Sequence, residues 1–196
     1  MPASAPTATA TAGFVVARLL LKPPDGALLD RLADRAGRRT WPLHNPASVA
    51  ALRLLDDGFS SSAVGAEWQA LLGGPTPAVR LRESEWTGAD EPELSAELVA
   101  RYRDAGLGLT QFGAAEPDQL GVELHYLAHL AAVAAKTDTD SGGAAEIAAF
   151  RSDHVDRFCS LVLDELRARA HTPLLAALPG LVDGFLEGLD AQRPQP

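Results

Sequence analysis

No stretch of this chain alternates β-branched and polar residues over the length of a strand, and that absence constrains the fold most. Ala, Leu, Glu and Arg fill the periodic segments instead, and these side chains lose little on entering a helix. The pattern predicts an all-α protein, a single-domain helical bundle.

Prolines and glycines set the expected boundaries. A first helix over 14–22 stops at Pro23-Pro24, and Asp25 caps a second that carries Leu28, Leu29 and Leu32 as far as Gly37. "RRTWPLHNP" reads as a loop, because its two prolines exclude a helix interior. Further helices are expected over 46–57 and around Trp68, Leu71 and Leu72, then near 93–105, 117–135, 144–170 and 173–189. Between them, residues 73–93 hold Gly73, Gly74, Pro75, Pro77, Gly88 and Pro92 with few apolar residues. A loop of that length inside a compact domain is expected to be mobile and functional. The lead "MPASAPTATATAG" (1–13) and the tail (191–196) are expected to be disordered, leaving a helical domain over 14–190.

Twenty-six acidic against 17 basic groups give a net charge of −9, which repels a phosphate backbone and argues against nucleic acid. A basic peptide or basic protein patch would be attracted instead. One cysteine, Cys159, excludes an internal disulfide and fits a reducing, cytoplasmic setting; it reads as a small buried hydrophobe. No apolar run is long enough to span a membrane, so no stable membrane insertion is expected.

"EPDQLGVELHYLAHL" (116–130) concentrates the candidate polar chemistry. Pro117 suits the first turn of a helix, and Asp118 there meets the positive helix end. At 100° per residue, Leu120, Leu124, Leu127 and Leu130 gather on one side while Asp118, Val122, His125 and His129 share the other. The helix is therefore expected to bury one face and present a polar face carrying His125 and His129. Those histidines are four apart, but Tyr126 stands where a zinc protease carries its glutamate, so no metal and no catalytic residue is assigned. Further on, Ile147, His154 and Leu161 are seven apart with Phe150 and Phe158 interleaved, which places His154 on an apolar seam. It is read as a core histidine or as the lining of a groove beside the Asp118 helix.

Four stretches in order resemble the TorD/DmsD/NarJ family of molybdoenzyme maturation chaperones. They are "ARLLLKPPDGALLDRL", "WQALLGGPTPAVRLRESEW", the 116–130 stretch, and "FRSDHVDRFCSLVLDELRARAHTPLLAAL". Gly74-Pro75, Glu83-Ser84, Trp86, Glu116-Pro117-Asp118, Phe150, His154 and Pro173 fill the family's places. Gln119 stands where the family carries histidine, and Phe158 where it carries tryptophan. The resemblance implies a TorD-like helical fold without cofactor or catalysis. It implies a cytoplasmic protein that holds the precursor or catalytic subunit of a molybdopterin oxidoreductase, commonly at its twin-arginine signal region, as a monomer or dimer. It implies Glu116, Asp118, Gln119, Glu83, Trp86 and His154 as the peptide-binding residues. The physics of such a ligand agrees: a cationic, then apolar segment needs carboxylates beside a groove. A generic acidic helical interaction module, unrelated to molybdoenzymes, is the alternative.

Overall fold

A computed structural model describes residues 4–113, 115–136 and 141–192. In chain order the helices are α1 (Ala5–Leu21), α2 (Gly26–Ala33), α3 (Arg35–Arg38), α4 (Pro46–Arg53), α5 (Ser61–Leu71), α6 (Glu83–Thr87), α7 (Glu91–Asp104), α8 (Leu120–Ala134), α9 (Ser141–Phe150), α10 (Asp156–Arg169) and α11 (Pro173–Asp190). No strand occurs among the described residues, so the all-α expectation holds.

The bundle is built around α1, which packs along α8 and against α11, while α11 also covers α4 and α9 lies on α8. The contact of α1 with its neighbours is close because its buried side is small: Thr9, Ala10, Ala12, Gly13, Val16 and Ala17. A Cβ on Gly13 would stand 2.5 Å from the Phe185 ring and 2.7 Å from the Ala128 methyl, so only glycine lets the three helices meet there.

This overturns the expected disorder of the lead from residue 5 onward. "PTATATAG" is too short of large apolar groups to look like a core segment, yet alanine favours helix and Thr9 returns its hydroxyl to the Ala5 carbonyl at 3.1 Å. Residues 1–3, and the tail from 193, lie outside the described residues.

Helix α8 also differs from expectation. It begins at Leu120 with Gln119 as its cap residue, so Pro117 and Asp118 precede it. It is buried on nearly every side, including Val122, Glu123 and Ala128, because α1 covers one flank and α9 with the turn after it covers another. The expected solvent-facing stripe does not exist. His125 packs its ring 4.7 Å from Phe14 and 4.9 Å from Phe112, and His129 donates from Nε2 to the Ala105 carbonyl at 2.9 Å. Burial, then the neighbouring His129, pushes the His125 pKa down to about 4, so it is a neutral ring at pH 7.

The helix expected over 144–170 runs through α9 and α10 but contains a π turn at Arg151–Val155. That wide turn holds an extra residue and shifts the phase of α10 relative to α9. Phe150, His154 and Phe158 all face inward, whereas Leu161, which the spacing placed on the same seam, is 42% exposed.

Candidate functional site

Residues 73–93 are not a free loop along their whole length. Val79 donates its N–H to the Leu71 carbonyl at 3.0 Å, and Val79 and Leu81 are buried. Arg82 and Gln119 then form an antiparallel bridge. Leu120 N–H reaches the Leu81 carbonyl and Glu83 N–H reaches the Asp118 carbonyl, each at 2.8 Å. This clasp ties the chain before α6 to the chain before α8.

The clasp carries a buried polar network. Asp118, expected on the surface, is fully buried. One of its oxygens accepts from Arg82 Nε at 2.9 Å, and the other accepts from the Ser84 hydroxyl at 2.6 Å and the Ser84 N–H at 3.2 Å. Arg82 also pairs with Glu91 at 2.8 Å. Glu83 is equally buried; it accepts from His154 Nδ1 at 2.9 Å and from Arg157 at 3.1 Å. Both carboxylates are thus taken up by the protein's own donors, as buried charges require. Asp118 acts as a lock between segments, which corrects its expected place on a ligand-facing surface.

Behind them lies Glu123, fully buried, with neither oxygen hydrogen-bonded among the described residues. Burial, then the charges of Glu83 and Asp118, raises its pKa far above the ordinary carboxylate range, so it is a neutral acid. Above its ordinary pKa of 4.5 the unfolded chain ionises Glu123 while the fold keeps its proton. Folding stability therefore falls as pH rises from there toward the folded pKa, by about 1.4 kcal/mol per unit at most. Chemical denaturation of Glu123→Gln is expected to show a stability difference from wild type that widens in the mutant's favour between pH 5 and 8. Parallel curves would remove this account of Glu123.

An open trough of about 550 Å³ adjoins the network on its α7 side. It is lined by Ala89, Asp90, Glu93, Leu94, Glu97, Ser152, Asp153, His154 and Arg157. It lies between α7 and the π turn, not between the 116–130 stretch and His154 as the sequence suggested. Of the six candidate residues, His154 lines it, and Glu83 supports His154 from beneath. Trp86 is half-buried, under the Arg80 guanidinium 3.6 Å from its ring centre. Glu116 is exposed and Gln119 half-buried, and neither lines the trough.

The trough's carboxylates were missed. Asp90 caps α7 by accepting from Glu93 N–H at 3.2 Å. Positions 90, 93 and 97 then recur at three- and four-residue spacing on one face. Glu97 fell inside the helix expected near 93–105, but Pro92 drew Asp90 and Glu93 into the loop reading, so the three were not read as one face.

Among the described residues, no three His, Cys, Asp or Glu side chains gather as a metal site, and no helix is long and apolar enough to cross a membrane. No curated protein matches the chain. A family model does: that of the nitrate reductase delta subunit, over residues 45–164, which takes in α4 through most of α10 and with them the clasp and the trough. The match spans more than half of the sequence, and the chain belongs to the nitrate reductase delta subunit family, a family of NarJ/TorD-like chaperones for molybdoenzyme maturation.

Proposed function

We propose that this chain is a chaperone that receives the precursor of a molybdopterin oxidoreductase by laying the cationic part of its N-terminal, twin-arginine signal region in the trough. The trough itself carries the reading. Asp90, Glu93, Glu97 and Asp153 line it with Arg157 as the opposing cation, and Ala89 and Leu94 give it apolar ground. Arg101 from α7 ties Asp153 to Glu97, at 3.2 and 3.4 Å, and helps hold the carboxylates in place. A guanidinium entering there exchanges water for several charge-assisted hydrogen bonds. The client's apolar segment then continues over the Ala89 and Leu94 side toward Trp86.

The roles expected of Asp118 and Glu83 shift inward on this reading. They hold His154 and the clasp in place, while α7 supplies the charge that a client meets.

Titration calorimetry with a synthetic peptide carrying two adjacent arginines before a leucine-rich segment tests this. The double change Glu93→Lys with Glu97→Lys is expected to weaken binding about tenfold or more, with loss of its salt dependence. Glu116→Lys is expected to leave affinity within about threefold, as an exposed charge that does not line the trough. Equal binding of a charge-scrambled peptide would sink the proposal. Mass spectrometry of co-purified protein then separates a molybdopterin oxidoreductase client from the partner of a generic acidic module.

A further inference from the structure

Four arginines gather at one spot of a chain whose net charge is −9. Arg35, Arg38, Arg39 and Arg53 line an open cup of about 350 Å³ in which Asp56 is the one carboxylate. Val49 and Leu52, both half-buried, give the cup apolar ground.

The local fold fixes this grouping. Helix α3 turns tightly against α2, so that a Cβ on Gly37 would overlap the Arg31 carbonyl oxygen and only glycine permits the approach. Asp34 caps α3 by accepting from Gly37 N–H at 2.8 Å. Arg38 is the anchor. It is buried, and it donates to the Leu32 and Ala33 carbonyls at 3.0 and 2.7 Å and to Asp56 at 3.0 Å. That occupies Asp56 with Arg38. Arg35, Arg39 and Arg53 are exposed, and among the described residues their side chains have no hydrogen bond and no ion pair. The negative end of α4 accounts for Arg53. It does not account for three such cations around one cavity, where they raise the local potential and draw an anion.

We propose that this cup docks an acidic segment of a partner polypeptide, one in which carboxylates flank a leucine-sized side chain. The carboxylates pair with Arg35, Arg39 and Arg53, whose planar guanidiniums each offer two parallel hydrogen bonds. The apolar side chain settles on Val49 and Leu52. Two features favour a polypeptide over a nucleic acid. No Phe, Tyr or Trp lines the cup for a base to stack on, and a phosphate backbone leaving it would run over an acidic surface. The aliphatic floor, for its part, gives an inorganic oxyanion nothing to touch. The cup and the acidic trough have no residue in common, so the two readings stand or fall separately.

Fluorescence anisotropy at low ionic strength, with the full chain and a labelled peptide carrying glutamates on both sides of a leucine, tests this. Binding is expected to weaken as salt is raised, and to fall about tenfold or more in Arg35→Glu with Arg39→Glu. Arg53→Glu, on a different helix, is expected to weaken it in the same direction. Arg103→Glu with Arg169→Glu makes the same change in net charge at exposed positions outside the cup, and is expected to leave affinity within about threefold. Serine in place of the peptide's leucine is expected to weaken binding about fivefold, as an apolar contact is lost. Since Arg35 and Arg39 hold no side-chain partner in the fold, their double variant is expected to keep the wild-type Tm. A marked fall in Tm makes the pair structural and overturns the proposal. So does absence of peptide binding, an equal loss in the Arg103 and Arg169 control, or an RNA oligonucleotide or inorganic phosphate held more tightly than the peptide. None of these outcomes bears on the trough, which is tested with a cationic peptide.

Discussion

Replacing Asp118 by alanine is expected to cost about 3–5 kcal/mol of folding stability, the loss typical of removing one partner from a buried ion pair. Asp118 is fully buried and holds Arg82 on one oxygen and Ser84, by hydroxyl and amide, on the other. Without it, Arg82 keeps Glu91 but loses its buried partner, and the Ser84 amide is left without an acceptor. The backbone ladder of the clasp would then have to hold the two segments without the Asp118 side chain. Asp118→Asn keeps an acceptor for Ser84 and loses the charge, so a cost of about 1–3 kcal/mol is expected. Urea denaturation measures both. Peptide affinity of the folded Asp118→Asn protein is expected to change less than that of Glu93→Lys with Glu97→Lys. A stable Asp118→Ala protein with abolished peptide binding would return Asp118 to the ligand surface.

Phe150→Ala is expected to cost about 3–5 kcal/mol as a large-to-small change in a fully packed position. The ring is fully buried, 4.6 Å from Tyr126, 6.3 Å from Tyr102 and 4.8 Å from His154 between ring centres. The cavity would open directly beneath His154, so loosening of the trough should accompany the loss of stability. Leu161→Ala, at a position the spacing placed on the same seam but the structure leaves 42% exposed, is expected to stay within about 0.5 kcal/mol. Thermal or chemical denaturation of the two variants side by side is the measurement. Equal costs would mean that the π turn does not rotate Leu161 away from the interior.

Helix was legible in this sequence wherever large apolar residues recurred with the right period, as in α10 and α11. It was illegible in the first half of α1, before the helix expected from residue 14, where alanine, threonine and glycine make a buried face by being small, and hydrophobicity has nothing to report. The polar half of α8 misled for a related reason. A helical wheel assumes one buried side, and a central helix wrapped by neighbours has none; Glu123 is buried as a neutral acid because its surroundings forbid the charge. Asp118 and Glu83 carried a resemblance that implied peptide binding, with the Asp118 carboxylate open to a ligand's cation. What the sequence could not convey is that Arg82, 36 residues upstream of Asp118, already occupies it. His154 lies on the interior side where the spacing put it, while the acids of α7 needed the fold to show that they stand opposite it.

The π turn at Arg151–Val155 has an evolutionary reading. Deleting one residue there would yield a better hydrogen-bonded helix, yet everything from Asp156 onward would swing by about 100°. Phe158, Val162 and Leu166 would leave the interior together, and His154 would lose its register with Glu83. Chain length across this segment is therefore counted to the residue: substitutions can accumulate around it, but insertions and deletions should be purged.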